Sequence, residues 1–65
     1  MVNIGDKCKI VKRRFRFEDG DRCLVVDTYP SVVDPSDPFV ELKNLTKPVA
    51  NALFRLSQIE RIEEE

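Results

Sequence analysis

The chain has 65 residues and contains no histidine, no tryptophan, two glycines and two cysteines. Without histidine the usual general base near neutral pH is missing, and neither Cys8 nor Cys23 has a sequence neighbour that would activate its thiol. Two cysteines without histidine are also too few for a zinc site or for the disulfide framework of a small secreted protein. We therefore expect a protein that is not an enzyme, with no cofactor, no bound metal and two buried free thiols.

Long apolar runs are missing as well, since none approaches the roughly 18 to 20 residues of a membrane span, and no signal-peptide pattern follows Met1. Hydrophobic residues make up 42% and charged residues 35%, a balance typical of a folded domain. We expect one cytoplasmic domain over residues 1–65, without a membrane partner. So small a domain buries only about 60% of its unfolded surface, which leaves self-association as an open alternative.

Charge of one sign is not in excess overall, because the net charge is −1, but its distribution is uneven. Residues 1–33 hold seven cations and five anions, whereas residues 34–65 hold four cations and seven anions. Six of the cations fall within residues 7–16. This basic run is either a binding surface or a solvated face that keeps a small protein soluble.

Three strands are predicted from the hydrophobic pattern, over residues 7–12, 22–29 and 39–45, with a proline-rich connector at residues 30–38. A simple hairpin turning at Asp19 and Gly20 would place Cys23 opposite Arg16. Cys23 reaches Cys8 only if residues 13–21 form a long loop instead of a ladder, and we favour this loop. Residues 13–17, where arginines alternate with phenylalanines, would then lie in the loop between the first two strands.

The segment after Thr46 has two interpretations. In the favoured one, residues 52–56 pair back on residues 39–45, residues 57–59 form a single helical turn, and residues 60–62 form a last strand. In the other, Pro48 lies in the first turn of a terminal helix whose apolar residues recur at near-helical spacing.

The favoured order of elements resembles the small SH3-like β-barrel. The resemblance rests on Gly5 and Asp6 before the first strand, on the apolar strand after Gly20, and on the ending from Phe54 to Ile62. It implies a mainly β, five-stranded barrel with a short helical turn before the last strand. The terminal helix would instead give an α+β fold with a three-stranded sheet. Barrels of this kind are mostly interaction modules, so the resemblance implies binding, but fold alone does not choose the partner.

The candidate site is the run of alternating cations and aromatic rings in the predicted loop, together with one tyrosine at the connector. Its residues are Lys12, Arg13, Arg14, Phe15, Arg16, Phe17 and Tyr29. Arginine pairs with carboxylates or phosphates, and exposed phenylalanine stacks on unpaired bases. We favour a regulatory adaptor that docks on a protein partner, and the alternative is a nucleic-acid-binding barrel. A third interpretation makes both phenylalanines core residues on one strand face.

Overall fold

The computed structural model describes residues 2–62, which form one five-stranded antiparallel sheet and one short 3-10 helix. The elements are β1 (Lys7–Ile10), β2 (Arg22–Tyr29), β3 (Phe39–Asn44), β4 (Ala52–Arg55), the 3-10 helix (Leu56–Gln58) and β5 (Ile59–Arg61). The sheet order is β4-β3-β2-β1-β5. The mainly β fold is confirmed. A terminal helix after Pro48 is absent from residues 2–62, so that alternative is wrong.

β1 and β2 are joined by the long loop that the cysteine positions favoured. Cys8 lies opposite Cys23 in the ladder, with Lys7 opposite Leu24. Residues 11–21 lie outside the strands. β2 continues along β3 with a register shift between Val25 and Asp27. A bulge of this kind adds one residue to one strand and bends that strand.

The core lies on one face of this sheet, and every strand contributes to it. Its members alternate along the strands, as the pleat requires, and the loop adds one ring. The buried apolar residues are Val2, Cys8, Ile10, Phe17, Cys23, Val25, Val40, Leu42, Phe54 and Ile59. The core is small, as expected for a chain of this length.

The ending differs from the favoured prediction by one residue. The Arg55 N–H donates to Gln58 Oε1 at 2.9 Å, which starts the 3-10 helix at Leu56 rather than at Ser57. The Ser57 N–H and hydroxyl both donate to the Asp37 carboxylate at 2.9 Å. The two Ser57 bonds hold the short helix against the connector. The helix begins one residue earlier than the apolar pattern predicted, because the Gln58 side chain bonds to the Arg55 backbone.

Candidate functional site

Within the β1–β2 loop, residues 14–17 form a small hairpin of their own. Arg14 and Phe17 pair as an isolated antiparallel bridge, with N–H to C=O distances of 3.2 and 3.0 Å. Phe15 and Arg16 are the two turn residues. Phe15 has φ +56°, and it is the one residue other than glycine with positive φ in residues 2–62. Positive φ at the first turn residue belongs to a II′ turn, where glycine is preferred, so Phe15 occupies a strained position.

The two phenylalanines of this hairpin have opposite environments. Phe17 is 1% exposed and its ring lies 5.0 Å from the ring of Phe54, so it belongs to the core and is closed to a partner. Phe15 is 71% exposed, and the Arg14 guanidinium lies 4.7 Å from its ring centre. The interpretation that placed both rings in the core holds for Phe17 alone. The loop therefore does not stand clear of the domain, because Phe17 anchors it.

A partly buried polar network holds the base of the loop against the segment between β3 and β4. The buried Asp21 carboxylate accepts from Asn44 Nδ2 at 2.9 Å and from the Glu18 N–H at 3.0 Å. Lys47 Nζ lies 2.8 Å from Glu18 Oε2 and 3.2 Å from Asp21 Oδ2. The backbone bond from Glu18, followed by the Asn44 bond, lowers the pKa of Asp21 below its ordinary value. This network fixes the spacing between the two segments.

Between these two segments lies an open cleft of about 540 Å³. Residues 14–17 form one wall and residues 49–53 form the other. Leu53 is 43% exposed on the second wall, and Val49 and Ala52 pack against the core beneath it. We call this feature the Phe15 cleft. Apart from the two arginines and Asn51, its lining side chains are apolar, and no acidic residue lines it in the part of the chain that the structure describes.

The other predicted cations surround the hairpin. Lys12, Arg13, Arg14 and Arg16 are all exposed. Arg13, Arg14 and Arg16 also line a second depression beside the hairpin, together with Glu18 and Lys47. No ion pair is formed by these three arginines within residues 2–62. The structure thus brings the three arginines together on one surface, next to an exposed ring, and Lys12 lines neither depression.

Tyr29 does not join this surface. It lines a different cleft of about 350 Å³ formed with prolines of the connector. Its single O–H is shared between Asp27 Oδ2 and Glu41 Oε1, each 3.1 Å from the hydroxyl oxygen. These two carboxylates raise the pKa of Tyr29 to about 12. The predicted site residues therefore divide into a loop group and a separate tyrosine.

The two thiols lie in the core, as expected, and both are free cysteines. Burial raises the pKa of Cys8 to about 11, and burial together with nearby Cys8 raises the pKa of Cys23 to about 12. A nucleophilic cysteine needs a lowered pKa, so this environment works against thiol chemistry. Residues 2–62 also contain no group of three or more acidic or cysteine side chains placed to hold a metal ion.

Sequence reasoning missed the second wall of the cleft. In the strand interpretation Phe54 points inward, so the alternation of a strand places Leu53 outward. An outward leucine on this short strand is a usable sign of an apolar surface on that face. The contact between this wall and the hairpin could not be inferred, because it depends on how a loop of eleven residues, 11–21, folds back.

Comparison with family models, with curated proteins and with solved structures finds no match to this chain. Within residues 2–62, no helix has the length and apolar character that crossing a membrane requires. The case for function therefore rests on the geometry of the Phe15 cleft.

Proposed function

We propose that this chain is a non-catalytic, regulatory binding module that docks on a protein partner through the Phe15 cleft. One observation carries the proposal: a phenylalanine that is 71% exposed is held at positive φ beside an apolar wall. Strained backbone conformations of this kind cluster at binding and catalytic sites. A large exposed ring next to other apolar side chains is also a common feature of interaction surfaces.

We further propose that the domain is an SH3-like barrel. The sheet order β4-β3-β2-β1-β5 supports this class, as does the 3-10 helix between the last two strands. Core residues on the same face of all five strands support it as well. Domains of this class bind through loops beside the sheet, and the Phe15 cleft lies between two such loops.

The charge of the cleft indicates the chemistry of its partner. Arg14 and Arg16 stand at one wall, and no carboxylate lines the cleft in the described residues. An apolar side chain would fill the space between Phe15 and Leu53, and a neighbouring carboxylate would pair with an arginine fork. The best match is a protein segment in which apolar residues are flanked by acidic ones.

A nucleic-acid target is the second candidate, favoured by the depression in which three arginines adjoin the exposed ring of Phe15. Phosphates would contact the arginines, and an unpaired base would stack on Phe15. Against it, Glu18 lines the same depression and holds Lys47 at 2.8 Å. This carboxylate weakens the positive potential at the place where a phosphate would bind.

The test is a titration of 15N-labelled protein with two blocked peptides, one of valines flanked by aspartates and one in which lysines replace the aspartates. We expect the acidic peptide alone to shift the amide signals of residues 14–17 and 49–53. The Arg16→Glu variant should lose this response, while Lys43→Glu, which reverses one exposed charge on β3, should keep it. Parallel titrations use a single-stranded oligonucleotide and a duplex.

Two results would decide against the protein partner. One is an acidic peptide that leaves the cleft signals unchanged. The other is an oligonucleotide that binds with an affinity that falls steeply as the salt concentration rises. The logarithm of the binding constant should then fall by about 0.7 to 0.9 per phosphate contact for each unit of log salt.

A further inference from the structure

The connector between β2 and β3 carries the two most exposed large hydrophobic side chains of the described residues. Val32 is 96% exposed and Val33 is 87% exposed. Single exposed apolar residues are ordinary, but an adjacent pair with almost no contact to its own domain suggests a surface that another molecule covers. We call this pair the valine knob.

The loop beneath the valine knob is held by its own hydrogen bonds. The Asp34 N–H donates to the hydroxyl of the buried Ser31 at 3.1 Å, and the Asp37 N–H donates to the Asp34 carbonyl at 3.0 Å. The Ser36 hydroxyl donates to Asp34 Oδ1 at 2.6 Å. Hydrogen bonds within the connector therefore hold the turn that carries the valine knob. Little conformational entropy of this turn remains to be lost when the knob binds a partner.

The connector and the Phe15 cleft have complementary chemistry. Residues 30–38 contain two aspartates and no cation, and Asp34 directly follows the knob. The cleft is apolar, carries Arg14 and Arg16, and has no acidic lining residue in the described chain. The knob thus has the apolar and acidic character that the proposed function requires of a partner segment.

We propose that the occupant of the Phe15 cleft is the valine knob of a second copy of this chain. The proposal rests on the proposed function, since it names the partner of the same cleft. The connector precedes Phe39, the first residue of β3, whereas residues 45–51 follow Asn44, the last one. Knob and cleft therefore lie toward opposite ends of β3, so one knob-in-cleft contact joins two different surfaces of the two copies. Such contacts extend into open chains unless a rotation closes them.

The test is sedimentation velocity over a hundredfold range of protein concentration, with four proteins. The natural chain should show a mass that rises beyond the monomer. Val32→Ser/Val33→Ser, which removes the knob, and Phe15→Gly, which removes the ring of the cleft, should each stay monomeric. Ile4→Ser removes another exposed apolar side chain, 62% exposed, and should associate like the natural chain.

Mixing separates this arrangement from other kinds of self-association. The knob variant retains its cleft, and the Phe15→Gly variant retains its knob, so an equimolar mixture should form a 1:1 dimer and nothing larger. Raising the salt concentration should weaken that dimer, because arginine–aspartate pairs contribute to it.

Two outcomes would overturn the inference: a natural chain that is monomeric throughout, or a knob variant that associates as the natural chain does. If the acidic peptide still shifts the cleft signals in either case, the proposed function stands with a different partner. If the peptide also fails, the proposed function falls with the inference.

Discussion

Asn44 Nδ2 donates a 2.9 Å hydrogen bond to Asp21 Oδ2, and this bond joins the end of β3 to the base of the β1–β2 loop. The side-chain oxygen of the same residue, Asn44 Oδ1, accepts from the N–H groups of Thr46 and Lys47 at 2.7 and 3.0 Å. One asparagine therefore organises the turn after β3 and attaches it to the loop. The walls of the Phe15 cleft keep their spacing because these two segments are linked.

The first prediction concerns Asp21. Asp21→Asn removes the ion pair with Lys47 from a partly buried network, so the free energy of unfolding should fall by about 1 to 3 kcal/mol at pH 7. Urea denaturation measures it. Asp19→Asn removes one charge two residues away, at an exposed position, and should change stability by less than about 0.5 kcal/mol. Equal losses in both variants would contradict the role of the network.

The same carboxylate predicts the acid side of the stability profile. The folded state lowers the pKa of Asp21 below 3.8, so the unfolded chain takes up a proton first as the pH falls. The Asp21 carboxylate therefore contributes to stability at pH values above the pKa of the unfolded chain. This contribution is lost as the pH drops through the pKa of the folded chain. The gap in unfolding free energy between the natural chain and Asp21→Asn should therefore shrink from pH 7 to pH 3. A gap of constant size would contradict a lowered pKa of Asp21 in the folded state.

The second prediction separates the two phenylalanines of the hairpin. Phe17→Ala empties a ring site in the core and should cost about 3 to 5 kcal/mol, which is comparable with the whole stability of a domain this small. Phe15→Gly loses an exposed ring but relieves a positive φ, so its unfolding free energy should stay within about 1 kcal/mol of the natural value. Thermal unfolding followed by circular dichroism compares them. Equal destabilisation would mean that Phe15 also serves the core.

These predictions also show how much of the fold could be predicted from the sequence. The strand at residues 22–29 follows from its β-branched run, and the opposition of Cys8 and Cys23 required the long loop. Local patterns of this kind report strand periodicity directly. These patterns did not predict two features. One is the start of the 3-10 helix one residue earlier, caused by the Gln58 side chain, and the other is the burial of Phe17 without Phe15. The burial of Phe17 depends on contact with the ring of Phe54, which lies far away in the chain. The earlier helix start depends on a bond between the Gln58 side chain and the backbone three residues before it, which the apolar pattern does not report.

The third prediction concerns the second wall of the cleft. Leu53→Glu places a carboxylate beside the site proposed to receive acidic segments, and it should weaken binding of the acidic peptide at least tenfold. Leu45→Glu is the matched control, because Leu45 is similarly exposed, at 47% against 43% for Leu53, and does not line the cleft. Fluorescence anisotropy of the labelled peptide measures both. The same affinity for both variants would show that this wall does not contact the peptide.

The fourth prediction follows from the buried thiols. Burial raises the pKa of Cys8 from 9.0 to about 11 and that of Cys23 to about 12. At pH 8 the thiolate fraction of Cys8 is then roughly a hundredfold below that of an ordinary cysteine. Both thiols should resist iodoacetamide in the folded protein and react promptly in urea, as followed by mass spectrometry. Rapid modification of the folded protein at either thiol would contradict this.

The alkaline stability profile has the same origin. The unfolded chain loses its thiol protons near pH 9, whereas the folded chain keeps them until about pH 11 to 12. The thiol contribution to stability is therefore complete below pH 9 and is lost as the pH rises through that window. A Cys8→Ala/Cys23→Ala variant should have a flatter profile there. Parallel profiles for the two proteins would show that other groups cause the loss.

The central claim is that the Phe15 cleft is a docking site for an apolar, acidic protein segment. The most direct measurement is the amide spectrum of 15N-labelled Phe15→Gly and of the natural chain, each titrated with the valine–aspartate peptide. We predict shifts confined to residues 14–17 and 49–53 in the natural chain and their loss in Phe15→Gly, with both proteins folded. The same shifts in both proteins, or shifts elsewhere on the sheet, would contradict the claim.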